Sequence, residues 1–107
     1  MLRVRAVVDW VTRDQGGRRE PPFGIGSPAY LAVVRFTDAD SLWPPPEAWS
    51  LAVVKVESSR KPLRWHAEVH FVAEDAPHDS LRPGRPFDLY EGWRCVSHTP
   101  PRPTTLR

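Results

Sequence analysis

From Arg64 to Ala73 the chain alternates without a break. Trp65, Ala67, Val69, Phe71 and Ala73 take every second position, and Arg64, His66, Glu68, His70 and Val72 stand between them. A period of two marks a strand with one face on a core, because successive side chains leave a pleated strand on opposite sides. The N-terminal stretch repeats the pattern: Leu2, Val4, Ala6, Val8 and Trp10 interleave with Arg3, Arg5, Val7, Asp9 and Val11. Thirteen prolines and six glycines punctuate the chain too often for long helices, so the expected class is all-β.

Four further strands complete the reading. Residues 28–37 are apolar on both faces, with Leu31 and Val33 beside Tyr30, Ala32, Val34 and Phe36, and are expected to be covered on both sides. A third strand spans 49–57, with Trp49, Leu51 and Val53 inward. The last two span 86–90 and 93–98, with Glu91-Gly92 at the bend. Pro83-Gly84 suits the middle of a type II turn. Residues 14–27 and 38–47 are connectors, the second stiffened by Pro44-Pro45-Pro46. Six short strands in a small domain predict a closed antiparallel, Greek-key-like β-barrel, since closure removes exposed edges. The barrel is expected over residues 1–98, and 99–107 as a proline-rich mobile tail.

Composition narrows the function classes. At 107 residues and 12.2 kDa there is room for one core. Cys95 is the only cysteine, which excludes an intrachain disulfide and fits a reducing, cytoplasmic setting. No apolar run reaches membrane-spanning length, and the first residues show no apolar signal-peptide core. Thirteen of the fifteen basic residues are Arg, yet the formal charge is only +2, too small for a dedicated nucleic-acid protein.

The loop Gly16-Gly17-Arg18-Arg19, with Pro21 and Phe23, is followed by Pro28 and Tyr30, then Leu81 and Gly84. Near the end comes Phe87-Asp88-Leu89-Tyr90-Glu91-Gly92-Trp93-Arg94-Cys95-Val96. In order and spacing these motifs resemble the C-terminal β-barrel domain (domain 3) of bacterial elongation factor Tu. The resemblance implies a six-stranded antiparallel barrel, a surface that helps to hold the T-stem of aminoacyl-tRNA, and contact with a nucleotide-exchange factor. Arg18 matches the arginine of the family's Gly-Gly-Arg loop. The chain departs from the family in having Ser27-Pro28-Ala29 for an Arg-Pro-Gln segment and Trp93 for a glycine. No phosphate-binding loop is present, so no nucleoside triphosphate site is expected. A kept barrel pattern with altered polar groups implies a retained scaffold and a diverged function.

Three groups of residues bear on chemistry. His66, Glu68 and His70 share a strand face at about 6.5–7 Å spacing, so adjacent members can converge on a metal if a neighbouring strand adds a ligand. His78 and Asp79 are conceivable partners, and a solvated strand face is the alternative. Cys95 and His98 lie three apart and are expected on opposite faces of a strand, which excludes a thiol–imidazole pair. The Gly16 and Gly17 amides, with Arg18 and Arg19, offer an anion-binding concavity, or simply a turn of positive φ with solvated arginines. Arg82 and Arg85 read as solvated turn residues. Trp93 is expected either to pack across strands or, beside Arg94, to form an exposed contact.

The expected function is a non-catalytic protein-binding barrel without cofactor, with Gly16, Gly17, Arg18, Arg19, Phe23, Trp93 and Arg94 as candidate contacts. The alternatives are an RNA or tRNA binder and, last, a metal-dependent enzyme using His66, Glu68 and His70. A decoy of the translation factor is a variant of the protein-binding reading.

Overall fold

A computed structural model describes residues 3–17, 29–38, 48–61 and 63–101. Six strands account for most of them: β1 (Val4–Trp10), β2 (Tyr30–Phe36), β3 (Ser50–Ser58), β4 (Arg64–Phe71), β5 (Phe87–Glu91) and β6 (Arg94–Thr99). They close into an antiparallel barrel in the order β1-β4-β3-β2-β5-β6. Strands β2, β3 and β4 pair in succession and β5 returns beside β2, the connectivity of a Greek key. The expected all-β six-stranded barrel is therefore present. No helix among the described residues is long and apolar enough to cross a membrane.

Alternation drives this assembly. Along β4 every second residue is buried, and Ala67, Val69 and Phe71 have no exposed surface. Val8, Leu51, Val53, Leu89 and Val96 fill the same interior. Aromatic groups close both ends. Where β1 finishes, Trp10 meets Trp65 and Tyr30 edge to face, with ring centroids 5.0 and 5.4 Å apart. The Tyr30 hydroxyl there bonds the Glu91 carboxylate, and the Lys55 ammonium lies 5.2 Å from the Trp65 ring centroid. Where β1 begins, Phe36 meets Phe71 and Phe87, each at 6.4 Å.

Several expectations need correction. Only one face of β2 is covered: Ala32 and Val34 are buried, but Leu31 is 54% exposed, because a closed barrel has one interior. The final turn is Gly92-Trp93, one residue later than expected. Glu91 pairs with Arg94, and Gly92 takes φ +61, as the first position of a two-residue hairpin loop allows. Trp93 thus sits at the turn rather than in a strand and does not pack across strands; it is 77% exposed. Thr99 ends β6 and is buried, so the barrel reaches one residue beyond 98. Arg85 is not a solvated turn residue. Its guanidinium stacks 4.0 Å from the Phe36 ring centroid and bonds Asp38 at 2.9 Å and the Ser80 carbonyl at 2.7 Å. The Pro83-Gly84 turn forms as expected, with Gly84 at φ +82 and Arg85 N–H bonding the Arg82 carbonyl.

The sheet carries two bulges. One lies in β3 between Lys55 and Glu57. The other lies in β6, where Leu89 faces Ser97 but Tyr90 faces Cys95, leaving Val96 as the extra residue.

The two loop glycines have distinct roles. Gly16 ends a 3-10 turn, Arg13–Gln15, at φ +91. A Cβ on Gly17 would stand 2.1 Å from the Val11 carbonyl oxygen, so only glycine fits without moving backbone. The Cβ position of Gly92 is open. In urea titrations, Gly17→Ala is expected to lose more than about 2 kcal/mol, and Gly92→Ala only about 1 kcal/mol for its left-handed φ. Equal losses would remove the steric role given to Gly17.

Candidate functional site

Strands β1 and β6 close the barrel over a short length. Asp9 pairs with His98 and Trp10 with Ser97, and Val11 N–H bonds the Val96 carbonyl at 2.9 Å. Continuing this register would set Val7 opposite Pro100, at the next hydrogen-bonded position. Proline has no N–H to give, so the ladder stops and the strands part. On its other side β1 stays paired with β4 from Val4 to Asp9. Because Trp10 N–H bonds the Leu63 carbonyl, even-numbered backbone groups of β1 point to β4 and odd-numbered ones to β6. The Arg5 and Val7 amides and carbonyls therefore face the parted seam, without a strand partner among the described residues.

A cavity of about 440 Å³ occupies this seam. Val4, Ala6, Phe87, Pro100 and Pro101 give it apolar walls, and Arg5, Arg64, Arg82, Arg85 and His66 surround it. None of the described lining residues is acidic. Thr99 belongs to the same wall, and its buried hydroxyl has no hydrogen-bond partner among the described residues. Two of the arginines are held from behind. Arg64 grips Asp9 through two bonds of 2.6 and 2.9 Å, which keep its charge firmly in place, and Arg85 is fixed by Asp38. Arg5 stands 3.9 and 4.0 Å from Glu57 and Glu68, and Arg82 is exposed with no acidic partner among the described residues. The fixed arginines shape the rim, and Arg5 and Arg82 are held less tightly.

The residues singled out from sequence fare unequally. Gly16 and Gly17 are described, but their amides donate to the Arg13 and Thr12 carbonyls at 2.9 and 2.8 Å, so the expected anion concavity is spent on the turn itself. Arg18, Arg19 and Phe23 lie outside the described residues. Trp93 and Arg94 are exposed together on the β5–β6 turn, at the barrel end away from the cavity. On β4, His66 lines the cavity, whereas Glu68 is turned to Arg3 and Arg5 at 3.9 and 4.0 Å. His70 is held toward its neutral form, by desolvation first and Arg3 second. The Arg-lined seam was missed; Pro100-Pro101 following a strand that must pair with β1 was its signal.

The expectation that Cys95 and His98 point apart is overturned. The bulge at Val96 sends both Val96 and Ser97 into the core and returns His98 to the outer face, beside Cys95. The Cys95 Sγ lies 3.9 Å from His98 Nδ1, which is 2.8 Å from Asp88 Oδ1. One ring nitrogen faces both neighbours, so His98 does not relay a proton between Asp88 and the thiol as a catalytic triad requires. Burial, then the Asp88 carboxylate, push the Cys95 thiol above its ordinary pKa. A raised pKa leaves less thiolate at neutral pH. Iodoacetamide should therefore alkylate Cys95 more slowly than a free cysteine peptide at pH 7.5, with the rate still rising at pH 9. Faster alkylation than the peptide would reverse the assignment of an unactivated thiol.

No protein-family model matches this chain, and no curated protein or solved structure matches it either, so the candidate site rests on its own geometry.

Proposed function

We propose that this chain is a non-catalytic protein-binding barrel that takes an extended acidic polypeptide segment into the β1–β6 seam. One observation carries the reading: among the described residues, the Arg5 and Val7 backbone groups face, without strand partners, a cavity whose charged lining is basic. An added strand satisfies such an edge through main-chain hydrogen bonds, while pockets beside it select alternate side chains. At about 440 Å³ the cavity falls in the range of ordinary ligand pockets and holds a few residues of an extended segment. Arg5 and Arg82 would meet carboxylates. Trp93 with Arg94 offers a second, smaller contact at the opposite end.

RNA is the alternative that shares this charge. It makes no use of a peptide-spaced row of amides and carbonyls, and the net charge of +2 gives little general attraction to phosphate. Kinship with the elongation factor Tu barrel belongs to the same proposal and rests on the Gly-Gly-Arg and final hairpin motifs. A reducing cytoplasmic setting is also proposed, supported by the single cysteine.

The test is a fluorescence titration with a labelled peptide of alternating Glu and Val, its Lys-for-Glu counterpart and a single-stranded RNA of similar charge. The acidic peptide is expected to bind in the micromolar range and to lose at least tenfold in affinity with Arg82→Glu. N-methylation of alternate peptide amides should weaken it as well. Tighter binding of the RNA, or indifference to both Arg82→Glu and N-methylation, would sink the peptide reading.

A further inference from the structure

Asp88 on β5 and Cys95 and His98 on β6 bring a carboxylate oxygen, a sulfur and an imidazole nitrogen within 4.8 Å of one another. They are the group of ligating side chains that converges in this way among the described residues. We propose that this trio is a binding site for a thiophilic divalent cation, Zn²⁺ or its close analogues, with a fourth position open to water.

The geometry is close to what the ion needs. Tetrahedral Zn²⁺ with bonds of about 2.3 Å to sulfur and about 2.0–2.1 Å to nitrogen or oxygen sets sulfur and nitrogen about 3.6 Å apart, and nitrogen and oxygen about 3.3 Å apart. The corresponding separations here are 3.9 and 2.8 Å. Shifts of about half an ångström set these two edges, and the sulfur–oxygen edge, within 4.8 Å here, closes toward about 3.6 Å by side-chain torsion. His98 Nδ1 is central to both contacts, as a shared ligand position requires. A thiolate and a carboxylate would neutralise the ion, and sulfur with imidazole favours zinc over magnesium or calcium.

The backbone pre-sets the trio. Asp88 and His98 are direct cross-strand partners, and the Val96 bulge puts Cys95 on their face. Around the ligands, Tyr90 hydrogen-bonds the sulfur, an outer contact that orients a ligating side chain, whereas the bond that the Cys95 thiol donates to the Ser97 carbonyl is given up with its proton. Asp9 stands across from His98 on the other flank, held by Arg64, and Arg35 stands across from Asp88.

The experiment is a Co²⁺ titration of the full chain, purified without a His-tag under reducing conditions, followed by displacement with Zn²⁺. One equivalent of Co²⁺ is expected to produce thiolate-to-cobalt absorption together with tetrahedral visible bands, and Zn²⁺ should abolish both. Cys95→Ser should remove the thiolate band. Asp88→Asn and His98→Ala should each weaken Co²⁺ at least tenfold, whereas His66→Ala/His70→Ala should leave it unchanged. His98 is an exposed side chain, so its variant keeps the fold and the test does not depend on Cys95→Ser folding. No thiolate band in the parent protein, or a band indifferent to Asp88→Asn and His98→Ala, would overturn the site. So would loss of binding in the His66/His70 variant. Peptide binding at the seam is measured separately, so the two readings fail independently.

Discussion

A closed sheet needs one more strand pairing than an open one, and here that last pairing is the shortest in the barrel. Strands β1 and β6 meet from Asp9 to Val11 and separate where Pro100 withholds an amide. The barrel is held shut by this contact and by interior packing that crosses it, with Val8, Trp10 and Val96 drawn from the two strands into one core. Burial of these side chains is non-directional and tolerates a parted edge, whereas the ladder does not tolerate a missing donor. The chain therefore keeps its core and gives up hydrogen bonds, and the surrendered edge is the feature on which the proposed peptide site rests.

The same strand shows how little backbone change creates a new juxtaposition. Val96 is one extra residue, yet it turns two side chains that simple alternation would separate into neighbours. Its cost is divided: Val96 goes inward and is fully buried, whereas the neighbouring Ser97 hydroxyl is buried with no hydrogen-bond partner among the described residues. A polar group at that position would have made the bulge expensive; an apolar one lets the core stabilise it.

The fold was legible in the sequence because Arg64 to Ala73 and Val4 to Trp10 alternate cleanly, and burial in a closed barrel follows alternation. What misled was the β2 stretch, where Leu31 and Val33 gave an apolar outer face that no interior required. Turn position was misplaced by one residue, since Glu91-Gly92 and Gly92-Trp93 both satisfy a glycine-containing bend. The sites were far less legible. Seam and trio each depend on which strand lies beside which, and on a bulge. Asp88, Cys95 and His98 carry no spacing signal until β5 and β6 are paired. Arg5 and Arg82 stand far apart along the chain and meet only across the parted strands.

One row of side chains has a bearing on how the barrel finds its own alignment. Arg64, Asp9, His98, Asp88 and Arg35 are successive cross-strand partners over β4, β1, β6, β5 and β2, forming a polar belt on the outer wall with an arginine at each end. A slip of one residue exchanges inner and outer faces and is forbidden by the core. A slip of two restores the faces, and apolar burial discriminates against it far less. Between β1 and β4 such a slip would set Asp9 across from His66, Val7 across from Glu68 and Arg5 across from His70. Both the Arg64–Asp9 clasp and the Arg5–Glu68 pairing would be undone. Such pairs add only modestly to stability. Their use lies less in that modest strength than in telling the native alignment from its nearest impostor.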